Sequence, residues 1–198
     1  MLLIHRRRRP IPGAGLQSRW FRQTEYVEGR VLRYAANAPN RHVIYGWLQV
    51  GEIIRGVSSK DEILSRFPQI EQHPHLRPER LAVASNTIFL GASGLVLAGR
   101  PLGRPGAGLF RSMDDGLVLT DEASPNRALW RLPEFMHPAR GSRLSYHEKE
   151  SRWSEAAGIV RLKSVGRGQE FVLTPGSQAD MNSWLEALFE GAVQGRTA

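Results

Sequence analysis

The 198-residue chain has no cysteine, only three lysines among its 27 basic residues, and no uncharged apolar run long enough to cross a bilayer. The first absence excludes disulfide scaffolds, thiolate metal sites and cysteine nucleophiles, and it is the pattern expected of a protein kept in a reducing, cytoplasmic compartment. The apolar-leaning stretch 81–99 is broken by Ser85, Asn86, Thr87 and Ser93, so it falls short of the roughly 18 residues a membrane helix needs. No export signal is read at the start, because Met1 to Ile4 runs straight into Arg6–Arg9 and then into a Pro- and Gly-rich segment. P-loop, dinucleotide glycine, HExxH and GxSxG patterns are missing as well. His73 and His75 sit two apart, but the sequence places no third ligand beside them, so neither a metal nor a cofactor is expected.

What is present begins with charge. The formal net charge is +8, yet residues 1–22 contribute six arginines and no acid, leaving the rest of the chain at 21 bases against 19 acids. An accessible arginine run attracts phosphate irrespective of sequence. It also fits a solvated tail, and residues 1–18, with Pro10, Pro12, Gly13 and Gly15, are expected to be a disordered Arg/Pro/Gly-rich tail.

Residues 23–28 and 30–34 read as a β-hairpin about Gly29. From His42 to Ile54 apolar residues fill both parities, which predicts a strand covered on both faces, with Gly46 and Gly51 marking bends or close backbone approach. Ser59-Lys60-Asp61-Glu62 is a capping-box pattern that opens a short helix ended by Pro68. Strands are predicted at 86–90, 94–98, 107–111, 117–120, 128–132, 143–146, 158–164 and 168–173. A second helix is predicted at the end, capped by Ser177, with Met181, Trp184, Leu185, Leu188 and Phe189 as its apolar stripe and Gly191 as its C′ residue. The fold class that follows is α+β: a curved, mostly antiparallel β-sheet or partly open barrel with two short helices, the C-terminal one packed on the sheet. Residues 19–191 form one domain in this reading, and 192–198 a frayed tail.

Three clusters mix rings, amides and arginine: 47–52, 126–133 and 166–171. An indole stacks on a base, an amide pairs with a base edge, and a guanidinium forks onto phosphate or guanine. Trp47, Gln49, Asn86, Trp130 and Gln169 are therefore candidates for base binding, and His75, Arg77, Arg127 and Arg167 for phosphate contacts. Each also has a plainer use, since Trp47 and Trp130 suit a core, and histidines in a Pro-stiffened turn suit local hydrogen bonds.

Trp20-Phe21-Arg22-Gln23-Thr24-Glu25-Tyr26, the run His42 to Ile53, His73-Pro74-His75, Asn86-Thr87-Ile88-Phe89, Gly106-Ala107-Gly108-Leu109-Phe110, Leu129 to Pro133 and Arg167 to Phe171 follow one another in an order that resembles the third of the nucleotide modification associated domain families. Members of that family are described as DNA base hypermodification proteins of bacteria and phages. Their front ends look longer, so the resemblance implies a domain lacking its N-terminal part. The strand Ile44-Tyr45-Gly46-Trp47 to Glu52 is similar, more loosely, to that of PUA-like barrels, in which a modified base is drawn into an aromatic-lined pocket.

The resemblance implies a nucleic-acid (DNA) or nucleotide partner and a binding module that recognises a modified or flipped base. Two other functions stay open: a base-modifying enzyme using Glu52, Glu170, His73 or His75 for acid–base work, or a remnant without specific activity.

Overall fold

The structure, a computed structural model, describes residues 14–22, 24–27, 29–57, 59–111, 113–124, 126–165 and 173–194. In chain order its elements are β1 (Ala14–Phe21), β2 (Thr24–Val27), β3 (Arg30–Tyr34), β4 (Arg41–Arg55), α1 (Lys60–Arg66), α2 (Pro78–Leu81), β5 (Thr87–Gly91), β6 (Val96–Leu97), β7 (Arg100–Pro101), β8 (Ala107–Leu109), β9 (Leu129–Leu132), β10 (Arg143–Leu144), β11 (Trp153–Ala156), β12 (Ile159–Lys163), β13 (Leu173–Thr174) and α3 (Gln178–Gln194). The fold is α+β, and the β2–β3, β4–β5, β9–β12, β11–β12 and β10–β13 ladders are antiparallel. Among the described residues the strands form separate open sheets rather than one closed barrel.

The chain divides into two compact units. One comprises Leu48–Val96 and Pro101–Ala107; the other comprises Gly15–Trp47, Leu97–Arg100 and the chain from Gly108 onward. In the first, the later half of β4 pairs antiparallel with β5, from Val50↔Gly91 to Arg55↔Thr87. The register shifts between Val50 and Glu52, and a Cβ on Gly51 would fall 2.7 Å from the Ala92 backbone, so only glycine permits the strands to approach here. Val57, Ile63, Leu76 and Ile88 form a core cluster of this unit. Burying each such side chain contributes roughly 1.5–3 kcal/mol. Helix α1 begins as its capping pattern predicts, with the Glu62 N–H donating to Ser59 Oγ at 3.3 Å, and ends at Phe67 before Pro68.

In the second unit, β9, β12 and β11 form a three-stranded antiparallel sheet, with Trp130 opposite Leu162 and Leu162 opposite Trp153. Alternation places Trp130, Leu132, Val160 and Leu162 on the buried face. On the other face Arg131 and Arg161 are direct cross-strand partners, a like-charge pairing that buried Asp121 offsets by accepting from Arg161 Nε at 2.5 Å. The guanidinium beside it holds the Asp121 carboxyl below the ordinary range. Leu185, Leu188 and Phe189 of α3 are buried, and the Asp180 N–H donates to Ser177 Oγ.

Several expectations change. Strand β1 begins at Ala14, inside the segment expected to be disordered, because pairing with β4 overrides the weak strand propensity of Ala14 and Gly15. Among the described residues there are three helices rather than two, since Pro78 at N1 starts the four-residue α2. Gly191 does not end α3, which continues to Gln194; an internal glycine costs about 1 kcal/mol, less than packing against the sheet supplies. Residues 117–120 make isolated bridges at Val118 and Thr120 rather than a strand, and of the strand at 168–173 only Leu173 lies within the described residues.

Candidate functional site

The residues singled out from sequence fall into both units. In the first, Gln49 uses its amide twice on one residue: Nε2 donates to the Val96 carbonyl and Oε1 accepts from the Val96 N–H, both at 2.8 Å. The side chain thus replaces a strand partner. Asn86, 4 % exposed, donates from Nδ2 to the carbonyls of His75 (3.0 Å) and Val57 (3.4 Å). The structure therefore brings Asn86 and His75 together, but through the backbone of His75. Asn86 Oδ1 and His75 Nδ1 are buried and have no hydrogen-bond partner among the described residues.

His73 caps the turn at Pro74–Leu76 by accepting the His75 N–H on Nδ1, and burial, then the neighbouring His75, lowers its pKa. Glu52 is ion-paired with Arg66 at 2.6 Å, so among the described residues no carboxylate–imidazole pair forms here. Arg77 is exposed at the N-cap of α2.

In the second unit Trp47 is buried against Phe110 (5.1 Å between centroids) and, edge to face, Phe189 (5.3 Å). A Cβ on Gly108 would lie 2.4 Å from the Trp47 ring, so the indole is closed in by backbone as well. Trp130 is fully buried, with His42 perpendicular to it at 4.6 Å and His147 at 5.7 Å. Neither indole is the open stacking platform that its sequence context suggests, because each ring's surroundings are filled by core side chains. Burial depresses the pKa of His42 to about 4, and burial also lowers that of His147, which therefore stays neutral; its Nδ1 faces the Ser145 carbonyl, and its Nε2 accepts from the Val165 N–H. Arg127 is exposed, while its carbonyl accepts from Thr120 Oγ1. Arg167, Gln169 and Glu170 lie outside the described residues.

A different set of residues in this unit surrounds a cleft of about 530 Å³, within the size range of small-ligand sites. Phe21, Arg22, Arg41, Tyr45, Phe110 and Arg111 line it, together with Thr24 and Met113. Strand pairing explains the convergence. Strand β1 ends at Phe21 beside β4, which supplies Arg41 and Tyr45, and the chain leaving β8 is tied to β4 by the Phe110 N–H donating to the Tyr45 carbonyl at 2.9 Å. Phe21 meets Tyr45 edge-on at 6.1 Å.

The three guanidinium groups lining the cleft differ in engagement. Arg41 pairs with Glu122 at 2.9 Å, and Arg22 lies 5.2 Å over the ring of Tyr34. Arg111 is exposed and has no ion pair or hydrogen bond to the described residues. Among the described lining residues there is no carboxylate, imidazole or side-chain amide. The arrangement can hold an anion beside a flat ring, and it contains no acid–base pair.

Sequence reasoning did not single these residues out, although Trp20-Phe21-Arg22, Tyr45 and Phe110 stand in the segments that carry the family resemblance. The model of nucleotide modification associated domain 3 matches residues 19–174, a span that contains every residue of the cleft. The chain belongs to this family. Comparison with curated proteins and with solved structures returns no match. Membership in nucleotide modification associated domain 3 associates the chain with nucleotide modification and with a nucleotide or nucleic-acid partner. No helix among the described residues is long and apolar enough to cross a membrane.

Proposed function

We propose that the cleft binds a nucleotide unit of nucleic acid, DNA in the first instance, and that the domain acts as a binding module for a base that is unpaired or flipped from its stack. The phosphate sits at Arg111 with Arg22 and Arg41 behind it, and the base lies against Phe21, Tyr45 and Phe110. The observation that carries this reading is the convergence of three cations and three rings on one cleft built from segments inside the family match. Guanidinium groups supply fork-shaped donors for phosphate, and aromatic rings accept any base face. A modified base is accommodated because the rings contact its face and leave its substituents toward the open cleft.

Fluorescence anisotropy with a labelled single-stranded oligonucleotide across a salt series tests the reading. Arg111→Ala is expected to weaken binding by about tenfold and to lower the slope of log affinity against log salt by about one. Unchanged affinity and slope in that variant would remove the cleft as the site.

A further inference from the structure

The cleft does not end at its own walls. Arg22, the residue following β1, lines it and at the same time caps one face of Tyr34, 5.2 Å from the ring centroid. Tyr34 is the last residue of β3 and is 62 % exposed, far more than an aromatic side chain needed by a core. With one face under the guanidinium, this much exposure leaves the remaining ring surface open to solvent. On the same hairpin, Arg33 is paired with Glu25, whereas Arg30 is exposed with no ion pair to the described residues. The second unit therefore presents a series of ring, cation, ring and cation: Tyr45 with Phe21, then Arg22, then Tyr34, with Arg30 beyond on the hairpin.

We infer that Tyr34 forms a second stacking subsite, so that the ligand is a single-stranded polynucleotide held by at least two consecutive nucleotides rather than a free nucleotide. The inference rests on the cleft reading and extends it. The first base occupies the cleft, Arg22 receives the phosphate that links it to its neighbour, and the neighbouring base stacks on the open side of Tyr34. Among the described residues lining the cleft there is no carboxylate and no side-chain amide, so none of them offers a base edge the paired donor and acceptor that tells one base from another. Recognition is of backbone and ring face, hence tolerant of base identity.

Titration of the full chain with thymidine 5′-monophosphate, a thymidylate tetramer and an adenylate tetramer separates the possibilities. The tetramers are expected to bind more tightly than the mononucleotide and within a few-fold of each other. Tyr34→Ala should weaken tetramer binding by roughly tenfold, the loss of one base stack, and leave the mononucleotide unaffected; Tyr34→Trp should restore it. Since Tyr34 is exposed, both variants should keep the wild-type thermal transition. Equal loss for mononucleotide and tetramer, no loss for either, or a wild-type tetramer affinity no better than that of the mononucleotide would overturn the second subsite while leaving the cleft in place. Discrimination between the tetramers by a hundredfold would overturn the base-tolerant part. Failure of the cleft itself reads differently, as an Arg111→Ala variant that binds every probe like wild type.

Discussion

Around Asn86, amide and imidazole groups bond to the backbone of their own unit; around Arg111, guanidinium groups line a cleft of about 530 Å³ and the rings pack edge-on beside them. Both regions are rich in the residue types that contact nucleotides. The difference lies in what already fills their bonding capacity. Gln49 closes two hydrogen bonds on the exposed residue Val96, and Asn86, itself buried, donates to two carbonyls, so removing either side chain leaves backbone groups of its own unit without these partners. Arg111 bonds to no described residue, so removing it is expected to cost the fold little and, on the proposed function, the ligand much.

The strongest way to break this comparison is Trp130→Ala. If the indole is core, as its complete burial between His42 and His147 indicates, urea denaturation will show a loss of about 3–5 kcal/mol, enough to unfold a marginal domain. A variant that keeps its stability and loses only nucleotide binding would place Trp130 with the cleft instead.

Acid gives the next largest effect. The folded pKa of His42 is about 4 against an ordinary 6.5, so well above pH 6.5 neither folded nor unfolded chain is protonated at this ring and the residue contributes nothing to pH dependence. Between 6.5 and 4 the unfolded chain takes up a proton that the folded one refuses, and stability falls by up to about 3 kcal/mol before levelling off. His147, also lowered by burial, adds to the same slope. Denaturation midpoints that stay flat from pH 7 to pH 4.5 would contradict the buried, neutral state of both rings.

The finest test pairs two substitutions across the two regions. Asn86→Ala is expected to cost about 1–3 kcal/mol of stability with nucleotide affinity unchanged. Arg111→Ala is expected to leave stability within about 0.5 kcal/mol of wild type while binding weakens about tenfold. Thermal melts and anisotropy titrations on the same two proteins check both halves, and a reversal of the pattern would exchange the roles assigned to the regions.

Local rules located much of the fold. The hairpin at 24–34, the long strand 41–55, the Ser59 cap and the apolar stripe of α3 each follow from periodicity and capping chemistry within a short window. The site was legible only as a family resemblance. Trp47 sits in a strand whose two parities are both apolar, and nothing within that strand tells that Phe110 and Phe189 close over its ring. Gln49 looks like a base-reading amide because its partner, Val96, lies 47 residues away. Conversely, Arg22, Arg41 and Arg111 belong to three distant segments and look like unremarkable surface charge until strand pairing assembles them.

Gly108 is not among the residues that line the cleft, yet its missing side chain lets β8 lie against the Trp47 indole. That contact helps set where the next residues, Phe110 and Arg111, emerge. Positions 47 and 108 are therefore one coupled choice in the drift of the sequence: a larger residue at 108 is admissible only if the ring at 47 shrinks. A lineage that makes one change without the other displaces the cleft's ring and its uncommitted cation together, and so reshapes the cleft through a residue that does not line it.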